Sequence, residues 1–406
     1  MPGLLPNIDP DGLLEYSVVF TDRSLNHMSA RFRDVMKDIS ITLKEGYAAD
    51  SVAIVPGGGT YAMEAAARQF GSGKRCLVLR NGWFSYRWTQ IFDAGGIPAE
   101  STVLKARPAA GPAGDSDEPA FAPAPIDEVV AAIESGRPDA VFAPHVETSS
   151  GIILPDDYVR AVADAACGVG AILVLDAIAS GAMWVDMREL GVDVLLSAPQ
   201  KGWSGSPCAG LVMLGERAVG RMDPAANTSF SCDLLRWLEV MRSYEAGGHT
   251  YHTTMPTDAL RMLHDAMIET RAFGFGRARA RQQELGDRVR AILADRGFRS
   301  VAAPGFGAPG VVVSYTSDPA IQNGSAFAAE GLQIAAGVPL RCGEPSPFRT
   351  FRLGLFGLDK LGNVDRTVNT LAKALDKVGG GTENEERQAN PKASARAGGV
   401  GPARSV

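Results

Sequence analysis

Lys201 is the one lysine between Lys105 and Lys360, in a stretch well supplied with arginine. The residues around it read Asp193-Val194-Leu195-Leu196-Ser197-Ala198-Pro199-Gln200-Lys201-Gly202-Trp203, an apolar run that delivers the lysine to a loop marked by proline and glycine. Arginine stays protonated in proteins, whereas a lysine amine can be poised for Schiff-base chemistry. A solitary lysine at the end of a buried strand is thus a candidate anchor for an aldehyde cofactor, set against the plainer reading of a surface lysine. Other chemistry-bearing residues follow similar runs. Pro56-Gly57-Gly58-Gly59-Thr60 opens a helical segment, and glycines before a helix start expose N–H groups to an anion such as a phosphate. This loop lacks the final glycine of GxGxxG and the lysine of a Walker loop, and it reads equally well as a tight turn. Asn81-Gly82-Trp83-Phe84 offers an aromatic ring to stack on a planar ligand, or a core aromatic pair. His145-Val146-Glu147-Thr148-Ser149-Ser150-Gly151 is a hydroxyl-rich turn. Asp176 ends the run Ala171–Leu175, where a carboxylate can hold a protonated ring nitrogen or cap a helix. A phosphate cradle, a ring-stacking group, a hydroxyl cluster, a carboxylate and an amine together match the needs of pyridoxal 5'-phosphate (PLP).

The elements that must position these groups alternate between short apolar runs and helical segments. The runs are Ser51–Val55, Cys76–Leu79, Ser101–Leu104, Ala140–Ala143, Ala171–Leu175, Asp193–Leu196 and Gly210–Leu214. Continuous apolar runs between helices predict a largely parallel sheet covered on both faces, with ligands beyond the carboxyl ends of the strands. Phe32, Val35, Met36, Ile39 and Leu43 mark an earlier helix by their spacing. A long helical stretch is expected from Thr257 to Arg296, then β-like runs at Arg299–Ala303 and Val311–Tyr315. A helix near Ala326–Gly331, the run Thr350–Phe356 and a helix over Asn363–Val378 complete a smaller α+β domain. Residues 107–125, rich in proline, alanine and glycine, read as a flexible insertion. The expected organisation is an N-terminal arm (1–20), a large domain (21–260), a small domain (261–378) and a disordered tail (379–406).

The 406 residues carry a net charge of -6, with 45% hydrophobic and 21% charged residues. This is globular composition for about two domains, and it argues against nucleic acid or anionic membrane as partner. No apolar run is long enough to span a bilayer and no secretory leader is visible. Five scattered cysteines without a CxxC pair suit the cytoplasm and give no zinc signature. Histidines lack HExxH spacing, so no metal is expected.

From about residue 24 to 378 the chain resembles the class V aminotransferases of PLP fold type I, and most of all the alanine–glyoxylate and serine–pyruvate group. The segments that carry this are Glu147-Thr148-Ser149-Ser150-Gly151, Asp176 with Ala179-Ser180, Ser197-Ala198-Pro199-Gln200-Lys201, Tyr251-His252-Thr253-Thr254-Met255-Pro256 and Phe351-Arg352-Leu353-Gly354-Leu355. The resemblance implies an α/β fold: a mostly parallel seven-stranded sheet in the large domain with a smaller α+β C-terminal domain. It implies that Lys201 anchors PLP and shuttles a proton, that Asp176 pairs with the pyridine nitrogen, and that Ile178 and Phe84 flank the ring. Gly58, Gly59, Thr60 and Gln200 are then phosphate contacts, and Thr148 bonds the hydroxyl side of the ring. Tyr251 and Thr254 resemble a pair that reaches the phosphate of a neighbouring subunit, which implies a homodimer with shared active sites. Arg352 is implied to hold the substrate carboxylate by a bidentate fork. On the substrate side, His27-Met28-Ser29 stands where relatives often carry a His-Arg-Ser helix start, so His27 and Ser29 are candidate substrate contacts. A Gly-Pro-Gly loop common near the family's N-terminus is absent. The implied activity is transamination of a small amino acid, of the alanine or serine class, with a 2-oxo acid such as glyoxylate or pyruvate. Three rivals are an aminophosphonate donor, a PLP lyase of the desulfurase kind using Cys342, and a non-catalytic nucleotide-binding protein using only the glycine loop.

Overall fold

The computed structural model describes residues 6–112 and 116–378. The first five residues of the arm and the tail 379–406, expected to be disordered, lie outside the described residues. All seven apolar runs are strands of one sheet: β1 (Ser51–Pro56), β2 (Arg75–Arg80), β3 (Glu100–Lys105), β4 (Ala140–Pro144), β5 (Ile172–Asp176), β6 (Val194–Ser197) and β7 (Ala209–Leu214). Their order is β1-β7-β6-β5-β4-β2-β3. Only β7 is antiparallel to its neighbours, β1 and β6; the other pairings are parallel. Strands β4, β5, β6 and β7 are buried at every position, as strands covered on both faces must be. The edge strand β3 instead exposes Glu100 and Lys105, which blunts it against pairing with another chain. Parallel direction puts the carboxyl ends of β1, β2, β4, β5 and β6 on one rim, and the register aligns Pro144 and Leu196 with Asp176.

The smaller unit is a three-stranded antiparallel sheet of β8 (Val311–Tyr315), β9 (Ala335–Ala336) and β10 (Thr350–Gly354), in the order β8-β10-β9. The helix Val364–Val378 buries Val364, Val368, Leu371 and Leu375, the face its spacing predicts.

Three expectations are corrected. The helical stretch from Thr257 is two helices, Thr257–Phe273 and Phe275–Ala294, because Gly274 takes φ +92°, outside the helical region. The first of them packs on the helix Ala30–Tyr47, with His264 Nε2 3.1 Å from Asp38. Arg299–Ala303 forms no strand; Ser300 and Ala302 make only isolated bridges, to Ser314 and Phe121. Nor is the stretch 107–125 loose where it is described. Arg107–Pro108 pairs with Phe121–Ala122, Phe121 is fully buried, and Tyr315 Oη donates to Pro119 O at 2.8 Å. The polar, proline-rich composition hid one aromatic anchor.

Candidate active site

A cavity of about 570 Å³ opens at the carboxyl rim, roofed by β9 and β10 of the smaller unit. It is lined by Gly59, Thr60, Phe84, Thr148, Asp176, Ile178, Gln200, Lys201 and Arg352, nine of the singled-out residues from six separate segments. A larger cavity, about 840 Å³, lies between residues 9–17 and 26–34. It contains no strand-end residue and no lysine, so the chemistry belongs to the smaller one.

At the end of β5, Asp176 is buried and accepts one hydrogen bond, from Ile178 N–H at 3.0 Å. Its Oδ2 has no donor among the described residues. Burial pushes its pKa up to about 7, the nearby Glu147 adds to the rise, and the Ile178 bond and Arg87 oppose it. A buried carboxylate with a free oxygen is matched to a protonated ring nitrogen, which would hold it ionised. The loop after β6 brings Lys201 to the same space. Its amine makes no hydrogen bond among the described residues and sits 5.3 Å from the centre of the Phe356 ring. Burial first, then repulsion from Arg352, lowers its pKa, which favours the neutral, nucleophilic amine.

The helix Gly59–Gly71 points its open start at the cavity. Among the described residues no acceptor meets the N–H groups of Gly58, Gly59 or Thr60. Those are the orphan donors of a helix terminus, and they suit an anion. Gly59 also lies so close to Ile178 that a Cβ would come within 2.7 Å of Ile178 Cδ1. Gly58 is the N-cap of this helix and is not among the lining residues.

The helix Trp83–Gly95 has the opposite arrangement: its start is sealed. Glu147, wholly buried, accepts from Phe84 N (3.2 Å), Ser85 N (2.8 Å), Ser85 Oγ (2.7 Å), Ser149 N (3.0 Å) and Ser149 Oγ (2.7 Å). Ser149 Oγ in turn accepts from Trp83 N at 2.8 Å. A carboxylate at a helix N-terminus is favoured by the helix dipole and by the unpaired donors. The approach is close enough that a Cβ at Gly82 would lie 2.8 Å from Glu147 Cδ. This clasp fixes the turn 147–149 against the helix start, and so sets Thr148 and the Phe84 ring relative to each other.

Arg352 comes from β10, where it is paired with Ala335, and its Nε donates to Ala336 O at 2.8 Å. Its guanidinium lies 5.6 Å from the Phe84 ring centre. Burial lowers its pKa, and Glu147 works against that. No carboxylate pairs with it among the described residues.

The remaining singled-out residues stand elsewhere. Tyr251 is exposed and bonds Thr254, Oη to Oγ1, at 2.9 Å. His27 is buried beside Tyr251 and His249, at ring separations of 5.5 and 5.8 Å. Ser29 is the N-cap of the helix Ala30–Tyr47, accepting from Phe32 N at 3.1 Å, and lines the larger cavity. Neither His27 nor Ser29 lines the cavity of Lys201. Cys342 is also outside it: Sγ lies 3.4 Å from Arg80 O, and burial pushes the thiol up to about 12. A thiol raised in this way is a weaker nucleophile at neutral pH. Several lining residues escaped the sequence reading, Arg87 and Phe356 among them. Arg87 stands one helical turn after Phe84, which was the available signal. Phe356 ends the run Thr350–Phe356, four positions after Arg352, but nothing in that run marked it as a lining residue.

The chain is 29% identical over 327 residues to a 2-aminoethylphosphonate–pyruvate transaminase of Paraburkholderia xenovorans, spanning 80% of this chain and 82% of the other. With the corresponding protein of Pseudomonas putida it is 28% identical over 360 residues, 87% and 90% of the two chains. In structure it is similar to an alanine–glyoxylate aminotransferase of Nostoc, with TM-score 0.73, 22% identity, and 87% and 89% of the chains covered. The family profile of the class-V aminotransferases matches residues 119–336, more than half of the sequence. The chain belongs to the class-V aminotransferase family.

Proposed function

We propose that the protein is a PLP-dependent aminotransferase that moves the amino group of a small donor with an anionic head to a 2-oxo acid such as pyruvate or glyoxylate. The observation that carries this is the meeting on a single cavity of the Lys201 amine, the buried Asp176 carboxylate and the Arg352 guanidinium, where among the described residues the amine and Asp176 Oδ2 have no hydrogen-bond partner and the guanidinium has no carboxylate. Those groups fit PLP. Lys201 would be its covalent anchor, an ionised Asp176 would accept a hydrogen bond from the protonated ring nitrogen, and Ile178 and Phe84 would flank the ring. The N–H groups of Gly58, Gly59 and Thr60, with Gln200, take the phosphate, and Thr148 faces the ring hydroxyl. When bound, PLP supplies an aldehyde for the donor's nitrogen and an electron sink. Arg352 then orients the donor by its anionic head so that the carbon bearing the amine faces Lys201. Released once the donor's nitrogen has taken its place, the Lys201 amine, whose lowered pKa favours the neutral base, would take the proton from that carbon and hand it on to the cofactor's former aldehyde carbon.

Small amino acids of the alanine and serine class are the first donors in this reading. A second, 2-aminoethylphosphonate, is favoured by what the named relatives act on. Tyr251 and Thr254, exposed in this chain together with Phe230, Tyr16 and Val18, would serve the cavity of a partner copy in a cytoplasmic homodimer, with His27 packed against Tyr251 and Ser29 two positions after His27. No helix among the described residues is long and apolar enough to cross a membrane. The test is a half-reaction screen. Purified protein is mixed with alanine, serine or 2-aminoethylphosphonate, and the loss of its near-visible absorbance band is followed. A band that is absent from the native protein, or that survives in Lys201→Ala, refutes the proposal.

A further inference from the structure

We propose that Arg87 is the charge partner of the cofactor's phosphate and the residue that makes the cavity select PLP over its unphosphorylated form. The inference rests on the PLP reading above and assigns to it a residue outside the set singled out from the sequence. Arg87 follows Phe84 by three positions on the helix Trp83–Gly95, so the two side chains share a face, and both line the cavity. The guanidinium lies 5.2 Å from the Phe84 ring centre, and its Nη1 donates to Thr60 Oγ1 at 3.0 Å. No carboxylate pairs with it among the described residues. An arginine that ends at a hydroxyl rather than at a carboxylate keeps most of its five donors free.

Its position decides what those donors face. Thr60 is the second residue of the helix Gly59–Gly71, whose first N–H groups have no acceptor. The sealed start of the neighbouring helix is the useful contrast, because there Glu147 already fills the equivalent role. Of the two helix starts at this rim, the open one is the one that Arg87 reaches. Neutral N–H groups and a helix dipole alone favour any small anion, whereas a guanidinium adds a full charge and a rigid fork suited to a dianionic phosphate. Arg352, on the roof, is left to read the substrate.

The test measures binding rather than turnover. Native protein, Arg87→Ala and Arg87→Lys are freed of cofactor. Titrations with PLP and with pyridoxal then follow the quenching of intrinsic tryptophan fluorescence, and inorganic phosphate is added as competitor. A charge-assisted contact of about 1.5–3 kcal/mol is roughly a 10- to 100-fold change in affinity. In Arg87→Ala the affinity for PLP falls by about that factor, pyridoxal binds within about twofold of native, and phosphate competes more weakly. Arg87→Lys recovers part of the loss, because it keeps the charge and gives up the fork. Equal losses for PLP and pyridoxal mean that Arg87 shapes the cavity without reading the phosphate, and overturn the inference. So does unchanged PLP affinity with a raised KM for the donor, which would make Arg87 a substrate contact. Native protein that binds neither ligand overturns the PLP reading itself.

Discussion

Replacing Glu147 by glutamine tests whether the clasp beneath the cavity is held by a carboxylate. The two side chains have nearly the same shape, so the change exchanges one acceptor oxygen for an NH2 group. Oε1 serves the N–H groups of Phe84 and Ser149, and Oε2 serves that of Ser85. Whichever oxygen is replaced, at least one buried backbone N–H then faces another donor. The serine hydroxyls give little relief. Ser85 Oγ already accepts from Asn81 N and Gly82 N, and Ser149 Oγ from Trp83 N. An orphaned buried donor costs about 1–3 kcal/mol, and the lost charge weakens the remaining bonds, so we expect about 2–3 kcal/mol of destabilisation. Glu147→Ala costs more, since it strands all the donors and leaves a cavity. Equilibrium urea unfolding of the cofactor-free protein measures both, and near-ultraviolet circular dichroism reports the set of the aromatic rings around Phe84. A Glu147→Gln protein within about 0.5 kcal/mol of native refutes the reasoning, because it shows that the donors find other acceptors at little cost.

Asp176 gives a pH signature. Its folded pKa near 7 lies above its ordinary value of 3.8, so the folded, cofactor-free protein binds the proton more tightly than the unfolded chain. The resulting stabilisation is complete below about pH 4 and is lost as pH rises through about 7, so Asp176→Asn gains on native over that window. Thermal unfolding at a series of pH values checks this, and a pH-independent difference refutes it. Arg352→Ala raises the donor's KM and lowers kcat/KM by about 10- to 100-fold, with Arg352→Lys intermediate, since a monodentate charge replaces a fork. Steady-state kinetics decide it, and unchanged constants remove Arg352 from substrate binding. Cys342→Ser keeps transamination within about twofold of native, because the half-buried thiol lies outside the cavity with its pKa raised by desolvation. Loss of turnover, or sulfide release from cysteine that the change abolishes, returns the lyase reading.

Local pattern determined much of this protein. Strands buried on both faces must be apolar along their whole length, which made β4 to β7 legible as runs, and the residue after each parallel run was placed at the rim by direction alone. Lys201, Asp176, Phe84 and Thr148 could therefore be read as neighbours although as many as 117 positions separate them, from 84 to 201. The face of the helix Val364–Val378 was equally plain, because burial and the helical repeat agree there.

What pattern could not give were choices made by contact. Gly274 breaks a helix while Gly276 and Gly286 lie within one, and only the different packing partners on either side of 274 separate these cases. Phe121 turns a proline-rich stretch into buried structure by docking on Ala302 and Phe348, residues far away in the chain. Glu147 looked like part of a hydroxyl turn and is instead the acceptor that seals a helix start, while Arg87 and Phe356 reach the cavity from a helix flank and from the roof. Hydrophobic period specifies which face of an element is buried. Which polar side chain meets which donor across two elements is set by distances that exist only once the sheet and its roof have closed.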